Sequence, residues 1–391
     1  MQIICEREKC VGCMACYNIC PNKAINMKLS NGFYYPEINS EKCVNCGLCK
    51  KVCPSLEKVQ KSYPQRDIAY AVINKNKKIR DTSSSGGIFY DLAKSIIEAG
   101  GVVFGAAWNA NLRVEHIEIE SIEEIKRLQG SKYTQSNIKD SYKKVKEELE
   151  KGRKVLFSGV PCQVAGVLKY LQKEYKNLYT CEVLCHGSAS PQIFSEHINY
   201  IGRLNEAKLI GINFRYKTKE KCQNIEYTFD DGRNVIIDKP LNDFYYNGFQ
   251  NGTLLREACY GCDYIGLQRC ADITIADFWG VNKKEIVLQD ELSYPSLLFI
   301  NTKKGNELFE VNKNNWFVFE RTIEEAVWGN LSLRRATPKS KWQKKFLRGY
   351  KKYGYEKAAK KYLIEHKDIK YIIKKMIGGN ATSFLIKVLK R

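Results

Sequence analysis

The residues best suited to chemistry are cysteines that repeat one spacing twice near the start of the sequence. The first run, 10–21, reads CVGCMACYNICP, and the second, 43–54, reads CVNCGLCKKVCP. Each is C-x2-C-x2-C-x3-C-P, the bacterial spacing that holds 4Fe-4S clusters. A cube of iron and sulfide requires soft thiolates at four points around a small volume. Two copies therefore predict two clusters.

The fourth cysteine of each run is expected to ligate the cluster of the other run. One cluster is therefore assigned Cys10, Cys13, Cys16 and Cys53, and the other Cys20, Cys43, Cys46 and Cys49. A zinc or disulfide module is the alternative, but zinc sites usually pair two C-x2-C knuckles. This segment resembles a two-cluster bacterial ferredoxin over about its full length, which implies transfer of single electrons at low potential.

Further cysteines in the middle of the chain indicate a third metal site. Cys259 and Cys262 form a C-x2-C knuckle, which needs two more ligands. The candidates for those ligands are Cys162, Cys185 and Cys270. Four thiolates suit either zinc or an iron–sulfur cluster, and a third cluster is the favoured interpretation in a chain that already carries two.

Two strand–loop–helix units must position Cys162 and Cys185. Predicted strands at 154–157 and 178–184 each lead into a loop that contains the cysteine, and a helix follows each loop. Ligands bind at the carboxyl ends of strands in open α/β sheets, so both cysteines are expected at that edge. A helix start also favours a lowered thiol pKa at Cys162. Small apolar packing is expected for the remaining thiols, Cys5, Cys181 and Cys222.

A turn rich in serine and glycine precedes a predicted helix. Residues 81–87 read DTSSSGG, and apolar side chains then recur at helical spacing from Ile88 to Ala99. The free N–H groups of a helix start bind phosphate, and simple N-capping by one serine is the alternative. Predicted strands at 68–73 and 102–108 flank this unit, whereas 129–136, QGSKYTQS, is by itself typical of a surface loop.

The second half of the chain is predicted to contain short strands. Strands at 210–216, 225–229 and 235–237, with a hairpin signal at Asp231–Gly232, are typical of a meander that forms a lid or a substrate wall. A strand follows Cys270, and a buried strand at 296–301 precedes a helix at 304–310.

Composition is typical of a globular protein of two or three domains, with 391 residues of which 44% are hydrophobic. No apolar run approaches the roughly 18 residues of a transmembrane helix, and no signal peptide is expected. The net charge of +21 is concentrated in residues 339–391, which hold 17 Lys/Arg and 3 Asp/Glu. This tail is predicted to be a solvated packing helix, or alternatively to contact an anionic membrane surface. No nucleic acid is expected as a partner, because the tail shows no binding motif.

Residues 68–280 contain stretches that resemble the beta subunits of coenzyme F420-reducing hydrogenases and dehydrogenases. In chain order the stretches are Ser83–Gly87, Gly130–Ser136, Gly159–Gln163, Cys185–Gly187, Cys259–Cys262 and Asp272–Gly280. The resemblance implies a bound FAD beside a third 4Fe-4S cluster whose ligands are Cys162, Cys185, Cys259 and Cys262. It does not call for a cysteine at Cys270, and the family's Gly-Thr-Pro-Cys reads Gly159-Val-Pro-Cys162 here.

The same resemblance implies which residues contact the flavin. These are Ser84, Ser85, Gly86 and Gly87 in one stretch, and Ser131, Lys132 and Tyr133 in another. Catalytic roles are predicted for Lys132, which would stabilise the anionic reduced flavin, and for His186, which would donate a proton. A structural role in capping its own loop is the alternative for His186.

The predicted architecture is therefore of the α+β and α/β class. A two-cluster ferredoxin domain is expected at 1–58, a mixed α/β domain for FAD and iron–sulfur at 66–335, and a basic helical tail at 336–391. The predicted function is that of a cytoplasmic oxidoreductase, or one at the inner face of the membrane. It would pass electrons between clusters and FAD, with a ferredoxin-like redox partner and an organic substrate or deazaflavin-like acceptor. A non-catalytic electron-transfer subunit serving a partner enzyme is the alternative.

Overall fold

The structure is a computed structural model that describes residues 3–218, 223–282, 286 and 294–364, apart from the side chain of residue 66. The predictions for Cys222 and for the part of the basic tail at 365–391 lie outside the described residues.

The strands are β1 (Ile25–Ser30), β2 (Phe33–Ile38), β3 (Ile68–Asn74), β4 (Val102–Trp108), β5 (Val114–Ile119), β6 (Val155–Gly159), β7 (Leu178–Val183), β8 (Leu209–Tyr216), β9 (Asn224–Phe229), β10 (Asn234–Ile237), β11 (Ile273–Asp277), β12 (Ser296–Ile300) and β13 (Trp316–Thr322). The α-helices are α1 (Ala15–Ile19), α2 (Leu48–Lys51), α3 (Lys77–Asp81), α4 (Ile88–Glu98), α5 (Ile125–Leu128), α6 (Ser141–Glu150), α7 (Pro161–Leu171), α8 (Pro191–Leu204), α9 (Phe244–Gln250), α10 (Lys303–Asn312), α11 (Ile323–Gly329), α12 (Gln343–Tyr353) and α13 (Tyr355–Tyr362).

An eight-stranded mixed sheet forms the centre of the larger part of the chain. Its order is β13-β3-β12-β11-β7-β6-β4-β5. The four central strands β4, β6, β7 and β11 are mutually parallel, and antiparallel pairs flank them on both sides. The prediction of a mixed α/β fold is confirmed. Because the central strands are parallel, the loops after β6, β7 and β11 emerge at one edge of the sheet.

The strands are apolar because both faces of the sheet are covered. Leu156, Ile273 and Leu298 belong to one buried cluster that includes helix α4, while Phe104 and Phe157 belong to another that includes α6 and α7. Near-continuous apolar strands of this kind are expected when helices cover both sides. The predicted strand and helix positions around Ile88, Cys162 and Cys185 are confirmed to within a few residues.

The N-terminal segment is a small unit that packs directly against the larger one. Its β1–β2 hairpin and the helices α1 and α2 enclose little apolar core of their own. Met14 and Val52 are instead buried in the cluster that contains Val164 of α7, and the Asn18 side chain donates to the carbonyl of Lys139, 2.9 Å away. The first cysteine run therefore lies at the junction between the two units.

A second, three-stranded sheet, β8-β9-β10, lies near the carboxyl edge of the large one. It shares an aromatic core with α8, α9, α12 and α13, in which Phe346 and Tyr355 are fully or almost fully buried. The described part of the basic tail thus packs onto this core, as a packing helix would. No described helix has the length and apolar character needed to cross a membrane.

Candidate functional site

The structure gathers the two N-terminal cysteine runs into two groups that interleave the runs. One cavity is lined by Cys10, Cys13, Cys16 and Cys53, together with Cys5. Another, of about 130 Å³, is lined by Cys20, Cys43, Cys46 and Cys49. These are the two sets of four that the spacing predicts, so each donor set is one of soft thiols suited to a 4Fe-4S cluster. We call them the inner group (Cys10, Cys13, Cys16, Cys53) and the outer group (Cys20, Cys43, Cys46, Cys49).

The two groups differ in their access to solvent. Cys10, Cys13 and Cys53 of the inner group are buried, whereas Cys46 of the outer group is exposed. Lys42 and Lys50 line the cavity of the outer group and are exposed, as is the neighbouring Val44. An exposed group with cations beside it is a suitable place for an anionic protein to approach.

Cys5 lies against the inner group rather than only in an apolar core. The Cys5 thiol hydrogen bonds to Cys10 and to Cys53. Its bond to Cys10 is the main reason that the pKa of Cys10 falls to about 6, and the charge of Arg256 also stabilises the Cys10 thiolate. The hydrogen bond from Cys5 to Cys53 likewise lowers the pKa of Cys53 to about 7. The packing prediction for Cys5 is therefore incomplete, while Cys181 is fully buried in the core as predicted.

A third group of thiols lies at the carboxyl edge of the large sheet. Cys162 begins α7 after β6, Cys185 follows β7, and Cys259 and Cys262 come from a 3-10 helix at Glu257–Gly261. The charges of Cys185, Cys259 and Cys262 all act on Cys162, so the four lie together. We call these four the edge group. Among the described residues, no three His, Cys, Asp or Glu side chains are arranged to hold a single metal ion.

The expectation that a helix start lowers the pKa of Cys162 is wrong. Burial raises that pKa well above its ordinary value, and the neighbouring thiols add to the effect. Desolvation of a thiolate outweighs the field of a helix end when the site is closed to water. Backbone amides do point at two members of the group: Ser188 N–H donates to Cys259 Sγ over 3.3 Å and Tyr264 N–H to Cys262 Sγ over 3.4 Å.

Cys270, the lesser candidate ligand, points elsewhere. Its thiol donates to a carboxylate oxygen of Glu182, 3.1 Å away, and to the carbonyl of Pro161, 3.3 Å away. Glu182 in turn forms an ion pair with Arg269, and neither side chain has any exposed surface. Arg269 also donates to the carbonyl of Tyr264, just after Cys262. This buried pair, which the sequence analysis missed, fixes the loop that carries part of the edge group.

The inner and edge groups lie next to each other. If Gly166 of α7 carried a Cβ, that atom would lie 2.9 Å from Cys13 Cβ and 3.3 Å from its sulfur. The helix that begins with Cys162 therefore packs directly on the inner group, and the charge of Cys13 acts on Cys162. The Tyr142 hydroxyl also lies beside Gly166 and donates to the carbonyl of Gln163, 2.9 Å away.

The serine-rich turn and the loop 129–136 also meet at the carboxyl edge. The hydroxyls of Ser84 and Ser131 lie 2.9 Å apart, and those of Ser85 and Ser296 lie 2.8 Å apart. Gly86 packs so closely on the sheet that a Cβ would lie 2.3 Å from the carbonyl oxygen of Val72. Gly87, with φ of +83°, caps α4 without any side-chain hydrogen bond. Simple N-capping by a serine is thus not the role of this turn.

Lys132 and Tyr133 extend the same surface. The Lys132 ammonium donates to the carbonyls of Gln129 and Gly130, 2.8 and 3.0 Å away, and burial lowers its pKa to about 7. Tyr133 stacks on Phe249 with ring centroids 4.7 Å apart. Ser131 and Tyr133 thus stay next to the serine-rich turn and the second sheet, and their contact with a flavin stays a prediction.

His186 is held by its own surroundings. Its Nε2 donates to the carbonyl of Phe249 over 3.2 Å, and Thr337 contacts both its Nδ1 and its carbonyl oxygen. Burial lowers its pKa. These contacts are typical of a histidine that caps a loop, while the predicted proton transfer stays a prediction.

Cations from the second sheet reach the serine-rich turn, and the sequence analysis missed them. Arg215 of β8 pairs with Asp277 at the end of β11, 2.6 Å away, and donates to the carbonyl of Ser84. Its Nε is buried without a partner among the described residues. Lys217 donates to the carbonyl of Ser85 over 2.9 Å. A buried N–H without an acceptor suits a polar ligand, so this edge has the chemistry to hold an anionic dinucleotide.

His116 of β5 was also missed. Its Nε2 donates to the carbonyl of Ser158, 3.1 Å away, and its Nδ1 accepts from the Ser136 hydroxyl, 2.6 Å away. It thereby joins the loop 129–136 to the loop that leads to Cys162. The alternation of the sequence VEHIEI at 114–119 would have predicted the strand, but not the partners of the histidine.

Comparison with known proteins agrees with both halves of this geometry. Residues 152–325 match the family described as the C terminus of the beta subunit of coenzyme F420 hydrogenase/dehydrogenase. Residues 9–56 match the 4Fe-4S dicluster domain. The chain is therefore similar to the C-terminal domain of F420 hydrogenase/dehydrogenase beta subunits over residues 152–325 and to a 4Fe-4S dicluster domain over residues 9–56. It is an iron–sulfur redox protein, related to oxidoreductases.

One similar solved structure is a chain of the F420-reducing NiFe hydrogenase complex from Methanosarcina barkeri. It is 18% identical, the match covers 82% of this chain and 95% of that chain, and the TM-score is 0.46. No curated protein matches the sequence.

Proposed function

We propose that this chain is an iron–sulfur flavoprotein oxidoreductase that links a one-electron redox partner to an organic acceptor. The observation that carries the proposal is the arrangement of twelve cysteines in three groups of four, with the inner group packed against the edge group. The outer and inner groups would each hold a 4Fe-4S cluster, the edge group a third, and the adjoining serine-rich turn FAD. When bound, the clusters supply one-electron chemistry and FAD supplies both one- and two-electron chemistry.

The placement of the thiols supports electron transfer from the surface of the protein to its interior. Cys46 of the outer group is exposed, most of the inner group is buried, and the four cysteines of the edge group have intermediate exposure. Water is therefore more excluded at the inner group than at the outer group, which strengthens local charge interactions inside the protein. Electrons from a partner protein would enter beside Lys42 and Lys50 and leave at the edge that carries Ser84 and Ser131.

The residues at that edge support an anionic cofactor. Hydroxyls of Ser84, Ser85 and Ser131 can turn to donate, and the amides at the start of α4 have no side-chain cap. Lys132, Arg215 and Lys217 place positive charge around the turn. Arg215 offers an Nε–H that has no acceptor in the part of the chain that the structure describes. Lys132 is half-buried close to Ser131, where its charge would favour a reduced, anionic flavin.

The decisive experiment removes the edge group while leaving the N-terminal groups intact. Cys259→Ser with Cys262→Ser is compared with Cys270→Ser, whose hydroxyl can still donate to Glu182. Each protein is purified without oxygen, and reduction of an artificial dye and of the bound flavin by reduced ferredoxin are assayed separately. We expect the double variant to keep dye reduction but lose flavin reduction, and Cys270→Ser to keep both. Unchanged flavin reduction in the double variant would contradict the proposal.

An oxidoreductase and a non-catalytic carrier are separated by the same preparations. An enzyme reduces a small acceptor on its own, whereas a carrier does so only when its partner enzyme is added. We expect the purified wild-type chain to turn over an external flavin or deazaflavin without a partner.

A further inference from the structure

Arg256 is the charged residue that lies between the inner group and the edge group. It has no exposed surface, although it is one of the largest side chains in the protein. A buried arginine keeps its charge, and leaving that charge without a counter-charge is costly. The groups that contact its guanidinium therefore indicate which negative charge Arg256 stabilises.

The contacts of the guanidinium reach across the junction to the inner group. It donates to the carbonyl of Cys10, to Cys10 Sγ at 3.4 Å, to the carbonyl of Tyr34 at 3.0 Å and to the side-chain oxygen of Gln135 at 3.3 Å. None of these four acceptors is a carboxylate. The atom among them that can carry negative charge is the sulfur of Cys10, 3.4 Å from the guanidinium.

The backbone of Arg256 is hydrogen bonded to Cys259 of the edge group and to the neighbouring Ser188. Arg256 N–H donates to the carbonyl of Ser188, 2.9 Å away, and its carbonyl accepts from Cys259 N–H over 2.9 Å. Ser188 N–H donates to Cys259 Sγ. Arg256 thus has its backbone hydrogen bonded to the backbone of Cys259 in the edge group and its guanidinium hydrogen bonded to Cys10 in the inner group.

The N-terminal unit is shaped to accept this charge. Gly12, between Cys10 and Cys13, has φ of +69°, and a Cβ there would lie 2.8 Å from a terminal nitrogen of Arg256. Tyr35 stacks on the guanidinium with 4.1 Å between its ring centroid and the guanidinium carbon. The approach of Arg256 to Cys10 therefore depends on a glycine and an aromatic wall supplied by the dicluster domain.

We infer that Arg256 is a positioning residue that raises the reduction potential of the cluster held by the inner group, at its junction with the edge group. Reduction adds one electron, and so one negative charge, from the reduced redox partner to this site. A buried positive charge 3.4 Å from a ligand sulfur stabilises the more negative state. The inference rests on the proposed function for the identity of the group that the inner thiols hold.

Arg7 provides a matched control. Its guanidinium carbon lies 4.1 Å from the centroid of the same Tyr35 ring, but the residue is exposed and donates to Ser30. The two arginines carry the same charge against the same ring, and they differ in burial and in the contact with Cys10. Solvent and salt screen the exposed one.

The test is a redox titration of the full-length protein, purified without oxygen and followed by electron paramagnetic resonance, with iron measured on each sample. Arg256→Gln is compared with Arg256→Lys and Arg7→Gln. At the wild-type midpoint we expect the ratio of reduced to oxidised inner cluster to fall about tenfold in Arg256→Gln, which is about 59 mV for one electron. Arg256→Lys keeps the charge and is expected to shift less, and Arg7→Gln to leave the midpoint within about twofold.

Two results would overturn the inference. One is an unchanged midpoint in Arg256→Gln that retains its full iron content, or an equal shift in Arg7→Gln. The other is loss of iron from both Arg256 variants with Arg7→Gln intact, which would make the role purely structural. Failure of the proposed function would be seen differently, as missing flavin or edge-group iron in the wild-type protein, while the inner midpoint could still be measured.

Discussion

The hydroxyl of Ser84 lies 2.9 Å from that of Ser131, although 47 positions separate the two residues in the chain. This contact joins the turn before α4 to the loop after α5, and both are at the carboxyl edge of the large sheet. Neither hydroxyl is needed to cap a helix. The hydrogen bond between these two hydroxyls can therefore be replaced by hydrogen bonds to a ligand.

We expect Ser84→Ala with Ser131→Ala to lower flavin occupancy, because two donors to an anionic dinucleotide are removed. The loss of about 1 kcal/mol per neutral hydrogen bond predicts roughly a tenfold or greater weakening of flavin binding for the pair. Bound flavin released by denaturation measures it. Ser121→Ala, whose side chain forms no cap hydrogen bond, is the control and should retain full flavin. Equal flavin content in the double variant and the control would argue against this site.

The buried pair of Glu182 and Arg269 should be essential for stability. Arg269→Met leaves a carboxylate with no exposed surface and no cation, and breaking such a pair costs about 3–5 kcal/mol. The thermal midpoint should fall accordingly, and the edge group should lose iron because Arg269 holds the loop after Cys262. Lys28→Met, which breaks an exposed pair with Glu37, should cost less than about 1 kcal/mol.

A second variant separates charge from packing at the same place. Adding Glu182→Gln to Arg269→Met removes the uncompensated charge but keeps an oxygen that can accept from Thr274. We expect the thermal midpoint of the double variant to lie between those of Arg269→Met and the wild type. A double variant less stable than Arg269→Met alone would show that the cost does not come from an unpaired carboxylate.

His116 should make stability depend on pH. Burial lowers its pKa from 6.5 to about 4, and Lys132 also opposes its protonation. Between these two values the unfolded chain binds more protons, so stability is present above pH 6.5 and is lost as the pH falls towards 4. From pH 7 to pH 5 the loss due to this residue is about 2 kcal/mol.

The measurement compares thermal midpoints of the wild type and His116→Gln at pH 7 and pH 5. We expect the wild type to lose more of its stability than the variant over this interval, since the amide does not titrate. Parallel losses in the two proteins would mean that His116 is already solvated in the folded state.

Electron entry beside the outer group should depend on charge. Reversal of Lys42 and Lys50 to Glu should slow reduction by an acidic ferredoxin about tenfold at low salt, since steering by a charged surface contributes at least that much. High salt should remove the difference. Lys357→Glu, at an exposed position of α13, is the control and should behave as the wild type. A rate that is unaffected by the Lys42 and Lys50 changes would place the entry point elsewhere.

Much of this arrangement follows from local patterns. The repeated cysteine spacing predicts which thiols of the two runs come together, because a cube needs a fourth ligand from outside each loop. Strand ends at Val183 and Gly159 follow from apolar runs that stop at polar loops. The loops that carry Ser84, Cys162 and Cys185 then lie at one edge of the sheet, because the strands before them run in the same direction.

The rest depends on contacts that local patterns do not contain. Arginine is usually a surface residue, so burial of Arg256, Arg269 and Arg215 is not expected from sequence. Each of them has an acceptor distant in sequence, as far as 246 positions for Arg256 and Cys10. Strand β13 was missed because its pairing with β3 is set by the sheet order. The pKa of Cys162 was predicted in the wrong direction because burial cannot be read from one helix start.

The most direct measurement is the content of iron, sulfide and flavin in the wild-type protein purified without oxygen. Three groups of four thiols, each holding a 4Fe-4S cluster, predict about twelve iron and twelve sulfide atoms per chain, together with one FAD. A preparation with about eight iron atoms at most, and without flavin, would contradict the account that the edge group and the serine-rich turn complete a redox site.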